Sequence, residues 1–370
     1  MAQARAIIER LLTAKDVRVN GERPWDIRVH NPRFFSRVFR GGSLAFGESY
    51  MDGWWDCDAL DECVARLIAA RADRAVASPA AVLGSLIGQF VNLQSRGRAF
   101  RIGEAHYDIG NDLYAAMLGP SMAYSCGYWK DAAALDAAQD AKLDLICRKI
   151  GLQRGQRVLD IGCGWGSFTK FVAERYGVSV VGVTVSKEQE AFARERCARL
   201  PVEIRLADYR TLDGQFDHVV SVGMFEHVGY KNYRTFMEVV HRCLKDDGLF
   251  LLHTIGGNHS VHATDPWIGR YIFPDSMLPS TAQVGRAIEG LFVMEDWHNF
   301  GQDYDRTLMA WWTNFDAAWG ALREKYGEKF YRMWRFYLLS CAGTFRSRSN
   351  QLWQIVLSKH GVPGGYQTVR

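Results

Sequence analysis

A glycine-rich turn at residues 160–166, with the sequence DIGCGWG, combines residue types and spacing that suit the binding of a charged ligand. It follows the apolar pair Val158-Leu159, which is typical of a buried strand, and it leads into a segment with helical spacing. Glycine permits positive φ and close approach of the backbone to a ligand, and a helix N-terminus presents free N–H groups to an anion. The turn therefore predicts a ligand-binding loop that opens a helix, with Asp160 at its entrance.

The spacing of these glycines differs from the dinucleotide-binding pattern GxGxxG, because the third glycine comes one residue early. The DIGCGWG form resembles the signature of class I methyltransferases, in which the helix end faces the methionine carboxylate of S-adenosylmethionine. The resemblance implies that Asp160 belongs to the cofactor site. Many such enzymes bind the ribose with an acid at the end of the second strand. This chain has VVGVTVSKEQ there, so Thr184 and Gln189 are the polar candidates for the ribose hydroxyls.

Strands and helices alternate from about residue 103 onward, which predicts an α/β fold with a parallel sheet. We expect a Rossmann-like class I methyltransferase sheet with helices on both faces. The predicted strands are residues 157–162, 178–185, 201–207, 217–223 and 248–256. Residues 305–360 are rich in Trp, Phe and Tyr at helical spacing, which favours helix.

Residues 1–75 are predicted to form a small N-terminal α+β domain that contacts lipid, membrane or a second subunit. A helix at 3–14 is followed by a hairpin signal, Asn20-Gly21, between alternating segments at 17–19 and 27–29. A helix starting at Pro32 is expected to end at Gly41-Gly42. Residues 76–102 are predicted to be a linker, whose apolar helix and following arginines either lie on a membrane surface or pack against the catalytic domain. Residues 103–370 are the predicted catalytic domain.

Composition narrows the classes of protein that the chain can belong to. A net charge of +4 is too small to indicate nucleic acid binding by itself. The eight cysteines include no CxxC pair, so neither a zinc site nor a redox dithiol is indicated. The chain has neither a signal-like N-terminus nor an apolar stretch of roughly 18 residues, so a cytoplasmic protein is expected. An aromatic content of 13% favours an apolar ligand pocket, although an aromatic core would account for it equally.

Segments along nearly the whole chain resemble the cyclopropane-fatty-acyl-phospholipid synthases. They are, in order, GSLAFGESYMDGWWDCD, HYDIGNDLY, AYSCGYWKD, VLDIGCGWG, VGVTVSKEQ, DYRTL, SVGMFEHVG, FLLHTIG, DPWIGRYIFP, MEDWHNFGQDYDRTLMAWW and CAGTFRSR. The resemblance implies transfer of a methyl group from S-adenosylmethionine to the cis double bond of an unsaturated phospholipid acyl chain in a membrane, followed by ring closure. It also implies a homodimer that contacts the inner face of the membrane transiently and does not bind nucleic acid.

Ring closure requires a base, because the cation left by methyl transfer must lose a proton. The resemblance implies that a bound bicarbonate ion is this base, since the cation would alkylate a protein nucleophile. Carried over residue by residue, its site comprises Cys126, Glu226, His253, Ile255 and Tyr304. Glu226 is expected to accept from the bicarbonate hydroxyl and His253 and Tyr304 to donate, while Ile255 can offer only its backbone. Glu226 follows the fourth predicted strand and His253 lies near the end of the fifth, so both belong to the edge where such sheets bind ligands.

The resemblance also implies where the cofactor and the acyl chain bind. Tyr124 and Ser125 are expected to reach the cofactor, Asp208 or Tyr209 to lie near the adenine, and four residues to cradle it: Gly162, Gly164, Thr184 and Gln189. The acyl chain is expected to run beside an aromatic segment, which could equally be core and comprises Trp267, Tyr271, Phe273, Trp311 and Trp312.

Other interpretations of these residues remain open. Cys126 could be a small buried hydrophobe, His253 a core histidine, Glu226 the start of a helix and Tyr304 a surface ring. Three histidines in the similar segments have no assigned step: His106, His227 and His298. Among functions, the alternative is an acyl C-methyltransferase giving a methyl-branched or methylene product. A small-molecule methyltransferase would not need the N-terminal domain, and a lipid-binding protein would not need an intact glycine loop.

Overall fold

The computed structural model describes residues 2–69 and 110–370, which form two compact units. The first contains residues 2–69, 262–274 and 304–350, and the second contains 110–261, 275–303 and 351–370. The predicted linker 76–102 and His106 lie outside the described residues. Residues 262–274 and 304–350 group with the N-terminal residues, although they belong to the predicted catalytic domain. The domain boundaries stay a prediction.

Helices and strands of the described residues are numbered in chain order. The helices are α1 Ala2–Thr13, α2 Arg33–Met51, α3 Leu60–Ala69, α4 Asn111–Leu118, α5 Leu135–Lys149, α6 Ser167–Tyr176, α7 Lys187–Arg196, α8 Tyr233–Cys243, α9 Pro266–Tyr271, α10 Thr281–Ile288 and α11 Gln302–Arg346. The strands are β1 Arg28–Val29, β2 Trp55–Asp56, β3 Arg157–Ile161, β4 Ser179–Thr184, β5 Val202–Leu206, β6 Phe216–Val222, β7 Leu244–Gly257, β8 Val293–Asn299 and β9 Asn350–Ser358.

The hairpin predicted at 17–29 does not form as a ladder, and that prediction is wrong. Val19 and Ile27 make one isolated bridge, whereas β1 pairs antiparallel with β2. The reason lies in the Asp26 carboxylate, which accepts hydrogen bonds from the backbone N–H groups of Arg18 (2.7 Å) and Arg23 (3.1 Å). A side chain therefore satisfies donors that a hairpin would have paired with the opposite strand.

Helix α2 was expected to end at Gly41-Gly42, and it instead kinks there and continues to Met51. Gly42 takes φ 56°, outside the helical range, so the two glycines break the helix direction without ending the element. Beyond the kink, the missing side chain of Gly47 makes room for the indole of Trp267 from α9. The glycines of α2 thus have two roles: Gly42 permits the kink of the helix, and Gly47 permits close packing within the first unit.

Aromatic rings hold the segments of the first unit together. The ring centroids of Trp267 and Phe336 are 4.7 Å apart, and Tyr50 lies 5.5 Å from the same phenyl ring. An ion pair of 2.7 Å joins Arg332 to Asp56. Of the aromatic residues considered for the acyl chain, Trp267 and Trp311 are fully buried, as a core role requires. The path of the acyl chain stays a prediction.

A seven-stranded sheet in the order β5-β4-β3-β6-β7-β9-β8 is the centre of the second unit. The pairs among β5, β4, β3, β6 and β7 are parallel, while β8 and β9 are antiparallel. All five predicted strands are present to within a few residues at either end. The α/β class and the mostly parallel sheet are therefore confirmed.

Both faces of this sheet are covered by helices, as predicted. Leu159 of β3 and Val181 of β4 point to the side where α8 and α10 pack. Their sequence neighbours Val158 and Val180 point to the opposite side, where α5 and α6 pack. Because successive residues of a strand face opposite sides, strands buried on both faces become continuous apolar runs, such as VSVVGVTV.

The antiparallel pair β8–β9 was not predicted, and the helical interpretation of residues 305–360 is wrong at its end. Helix α11 stops at Arg346, and residues 350–358 form a strand that is buried along almost its whole length. A short apolar run that is covered on both sides has no period-2 alternation, so pattern alone cannot separate it from buried helix.

The close packing of β7 against β9 generates a stability prediction. A Cβ added at Gly256 would overlap the indole ring of Trp353, whereas one added at Gly257 would meet nothing closer than 3.6 Å. We expect Gly256→Ala to lower the free energy of unfolding by about 1–3 kcal/mol, as overpacking does. Urea unfolding of Gly256→Ala beside the control Gly257→Ala measures this. Equal midpoints for the two variants would contradict the packing argument.

Candidate active site

One cavity in the second unit is lined by all nine residues predicted to bind the cofactor. It opens at the carboxyl ends of β3, β4 and β6, where parallel α/β sheets bind ligands. The nine are Tyr124, Ser125, Asp160, Gly162, Gly164, Thr184, Gln189, Asp208 and Tyr209. The fold therefore brings together residues that are up to 85 positions apart in the sequence, counted from 124 to 209.

The glycine loop forms the floor of this cavity because its backbone takes left-handed conformations. Gly162, Gly164 and Gly166 have φ of 89°, 54° and 79°, and α6 begins directly after them. A Cβ at Gly162 would lie 2.6 Å from the Met224 side chain. A Cβ at Gly164 would meet no atom within 4 Å, so this residue faces the open cavity. The loop thus leaves room for a ligand beside the N-terminus of a helix.

The two polar candidates for the ribose are joined to each other. The Thr184 hydroxyl donates to Gln189 Oε1 at 2.8 Å, and both side chains are buried. Ser186 caps α7 by accepting from the Gln189 N–H. Asp208 pairs with Arg210 at 2.7 Å at the cavity wall. The cavity wall therefore carries hydroxyl, amide and carboxylate groups, and their contact with a ribose stays a prediction.

The segment that carries Tyr124 and Ser125 is held by two buried residues of α5 that sequence reasoning missed. Lys142 Nζ donates to Ser125 Oγ at 2.8 Å, and Gln139 Nε2 donates to the Ser125 carbonyl at 2.8 Å. The sequence did carry a signal, because a helix over this segment places positions 142 and 149 on the same face as 135, 138, 139 and 146. In the structure, Lys142 and Lys149 are among the buried residues of α5.

Asp160 and Lys142, an acid and a base, both line the cavity, and their hydrogen bonds go to other residues. Burial raises the pKa of the Asp160 carboxyl to about 7 and lowers the pKa of the Lys142 ammonium to about 8. Thr169 donates to Asp160 at 2.8 Å. The methionine end of S-adenosylmethionine carries an ammonium and a carboxylate. The cavity, with the buried carboxyl of Asp160 and the buried amine of Lys142, therefore fits the methionine end of S-adenosylmethionine.

Glu226 and Ile255, both assigned to the bicarbonate site, are in direct contact. Glu226 lies in the 3-10 turn Phe225–His227 after β6, and its Oε1 accepts the Ile255 N–H at 2.6 Å. The Ile255 amide thus orients the carboxylate. The other oxygen, Oε2, is buried and has no hydrogen-bond partner in the part of the chain that the structure describes. Burial raises the pKa of Glu226 to about 7, which outweighs the opposite effect of the Ile255 hydrogen bond.

His253, near the end of β7, is also completely buried. Its Nδ1 lies 3.3 Å from Gln354 Nε2, and none of the described residues offers a hydrogen-bond partner to its Nε2. Cys126 follows Ser125 and is buried. Tyr304 belongs to the first unit, where it stacks on Phe345 at 4.6 Å. None of the five predicted bicarbonate residues lines the cofactor cavity, and their joint site stays a prediction.

His227, which had no assigned role, lines the cofactor cavity beside Met224. Burial lowers its pKa to about 4, so it is neutral near pH 7. Its place next to Glu226 in FEHVG was the available signal. His298 contacts Lys149 Nζ at 3.0 Å and lies outside the cavity.

This sheet and cavity define a class I S-adenosylmethionine-dependent methyltransferase. The family model of mycolic acid cyclopropane synthetase matches residues 94–355, and the chain belongs to this family.

Three relatives illustrate the similarity. The cyclopropane-fatty-acyl-phospholipid synthase of Escherichia coli strain K12 is 53% identical over 365 residues, covering 98% of this chain and 95% of that protein. The tuberculostearic acid methyltransferase of Mycobacterium tuberculosis is 34% identical, covering 90% and 83% respectively. The crystal structure of the mycolic acid cyclopropane synthase CmaA1 with S-adenosylhomocysteine and CTAB is 33% identical, with a TM-score of 0.66, and covers 70% of this chain and 98% of that one.

The buried carboxylate of Glu226 generates a prediction about stability and pH. Its pKa is about 7 when folded against a reference value of 4.5, so the folded state binds more protons between these values. Stability therefore falls as pH rises from about 4.5 to 7. Glu226→Gln removes this contribution. Between pH 4.5 and 8, wild type should lose on the order of 2–3 kcal/mol more unfolding free energy than the variant. Parallel losses in urea titrations would contradict the burial argument.

Proposed function

We propose that this chain transfers the methyl group of S-adenosylmethionine to the cis double bond of an unsaturated phospholipid acyl chain and then closes a cyclopropane ring. The similarity to the E. coli synthase over 98% of the chain carries this proposal. The cavity supports it, because all nine expected cofactor residues line it together. Methyl transfer to an alkene depends mainly on holding a weak nucleophile against the sulfonium methyl in a dry pocket.

We propose further that bicarbonate is the base. When bound, it would accept the proton that is released as the ring closes. Glu226 Oε2 and His253 Nε2 are buried polar atoms that have no hydrogen-bond partner within residues 2–69 and 110–370, and burying such atoms costs free energy unless a ligand satisfies them. An anion with a hydroxyl offers an acceptor for the His253 N–H and a donor for the Glu226 carboxylate. Cys126 and Tyr304 are proposed as further donors.

We propose that the protein reaches its substrate as a peripheral membrane protein, working as a homodimer at the inner face of the cytoplasmic membrane. None of the described helices is both long and apolar enough to cross a bilayer. In the first unit, Phe39 is 47% exposed beside a groove whose lining includes the exposed side chains of Arg33 and Arg40. Exposed aromatic and basic side chains suit an anionic lipid surface.

The activity is tested by incubating the protein with S-adenosylmethionine and vesicles of a monounsaturated phospholipid. We expect the released acyl chains to gain one CH₂ by mass spectrometry and to lose the alkene signal by NMR. A methylated chain that retains a double bond would replace this proposal with the acyl C-methyltransferase alternative. Absence of any lipid product, with S-adenosylhomocysteine binding intact, would contradict both.

The role of Glu226 generates a second prediction. Glu226→Gln keeps the shape of the side chain but removes its charge, so we expect turnover to fall by roughly 10²–10⁴-fold, as loss of a proton-handling group does. Added bicarbonate should not restore it fully. Glu238→Gln is the control, because this glutamate of α8 is 52% exposed and pairs with Arg234 on the same helix. Unchanged wild-type turnover in bicarbonate-depleted buffer would count against the proposed base.

A further inference from the structure

A polar row crosses three neighbouring strands on the face of the sheet that packs against α5. The row begins at His253 of β7 and continues to Gln354 on the neighbouring strand β9. Gln354 in turn lies opposite His298 of β8. The His253 and Gln354 side chains are almost completely inaccessible to solvent, at 1% and 0%. The contact between them joins His253 Nδ1 and Gln354 Nε2 at 3.3 Å.

This contact determines which nitrogen of His253 carries the proton. If the Gln354 amide nitrogen faces the ring, it donates to Nδ1, and a neutral imidazole must then hold its proton on Nε2. In the opposite amide orientation, Oε1 would face the ring. The buried NH₂ of Gln354 would then be the group without a partner among the described residues, where Oε1 is that group now. Buried N–H groups without partners are rarer than buried carbonyl oxygens without partners. This favours the orientation in which the Gln354 amide nitrogen faces the ring.

The surroundings of the ring keep it neutral. Burial lowers the pKa of His253 well below its ordinary value, and the nearby charges of Lys142 and Lys149 on α5 and of His298 on β8 lower it further. A neutral ring has one donor and one acceptor, so fixing Nδ1 as the acceptor leaves Nε2–H as the donor. That nitrogen has no partner among the described residues.

We propose that Gln354 is a positioning residue that fixes the Nε2–H tautomer of His253, so that the ring can donate a hydrogen bond to the anion that serves as the base. This role rests on the bicarbonate site proposed above, because the bound anion would be the acceptor for the His253 Nε2–H. Gln354 itself touches neither the cofactor nor the anion. It acts through the orientation and protonation of His253 alone.

The tautomer itself is tested by ¹⁵N NMR of the full-length protein labelled at its histidines, with the His253 signals identified by their loss in His253→Asn. The wild-type ring should show a protonated Nε2 and an unprotonated Nδ1 between pH 6 and 8. Gln354→Leu should show a mixture of tautomers, and Gln354→Glu should show a protonated Nδ1. A wild-type ring protonated at Nδ1 would overturn the proposal whether or not either variant folds.

Kinetics provide the second test. For Gln354→Leu we expect the bicarbonate concentration for half-maximal turnover to rise and kcat to fall roughly 10- to 100-fold, the range found when a group that orients a ligating histidine is lost. The Kd for S-adenosylhomocysteine should not change. Gln351→Leu is the matched control, since Gln351 is a buried amide of the same strand that accepts from Asn299 at 2.6 Å. Its bicarbonate dependence should be that of wild type.

The outcomes separate this proposal from the one on which it rests. If wild-type turnover does not depend on bicarbonate, the proposed base fails, while the NMR experiment still decides the tautomer. If wild type depends on bicarbonate and Gln354→Leu shows the same dependence and kcat as Gln351→Leu, the role of Gln354 is wrong and the base survives.

Discussion

Desolvation of ionisable side chains at the carboxyl edge of the sheet governs the chemistry that the second unit can perform. Asp160, Lys142 and Glu226 are almost completely buried. Burial alone moves the pKa of both carboxyls up, and that of the lysine down, toward neutrality. Groups that are so close to changing charge respond strongly to a charged ligand. A bound sulfonium, which is positively charged, would favour the ionised form of Asp160, which lines the cofactor cavity.

A sheet that is covered on both faces makes this burial possible. The α5 face is the more polar of the two, because Lys142 and Lys149 lie among its apolar residues. The Lys142 ammonium contacts the Ser125 hydroxyl at 2.8 Å, and the Lys149 ammonium contacts His298 Nδ1 at 3.0 Å and forms an ion pair with Asp296 at 3.6 Å. Each buried cation thus ties α5 to another segment of the second unit. The same helix holds the cofactor-binding segment and contributes to the electrostatic surroundings of His253.

The fold by itself does not decide the fate of the cation that methyl transfer creates, since proteins named as cyclopropane synthases and as acyl methyltransferases share it. The difference must lie in a few groups that handle one proton. The groups that we propose for this role are buried oxygen and nitrogen atoms held in defined orientations, Glu226 by the Ile255 amide and His253 by Gln354. In the proposed site, these groups would receive a small anion without offering the cation a nucleophile of their own.

Local signals in the sequence determined the parallel strands along the chain and the glycine loop. Each of these depends on backbone conformation or on a short motif, such as DIGCGWG, that carries its own geometry. Only the tertiary structure decided that Lys142 supports Ser125, that Gln354 contacts His253, and that residues 350–358 form a strand beside β7. These pairings join segments that are distant in sequence. The spacing of residues within a sequence indicates local structure. It does not indicate which buried polar side chains from distant segments contact each other across a sheet.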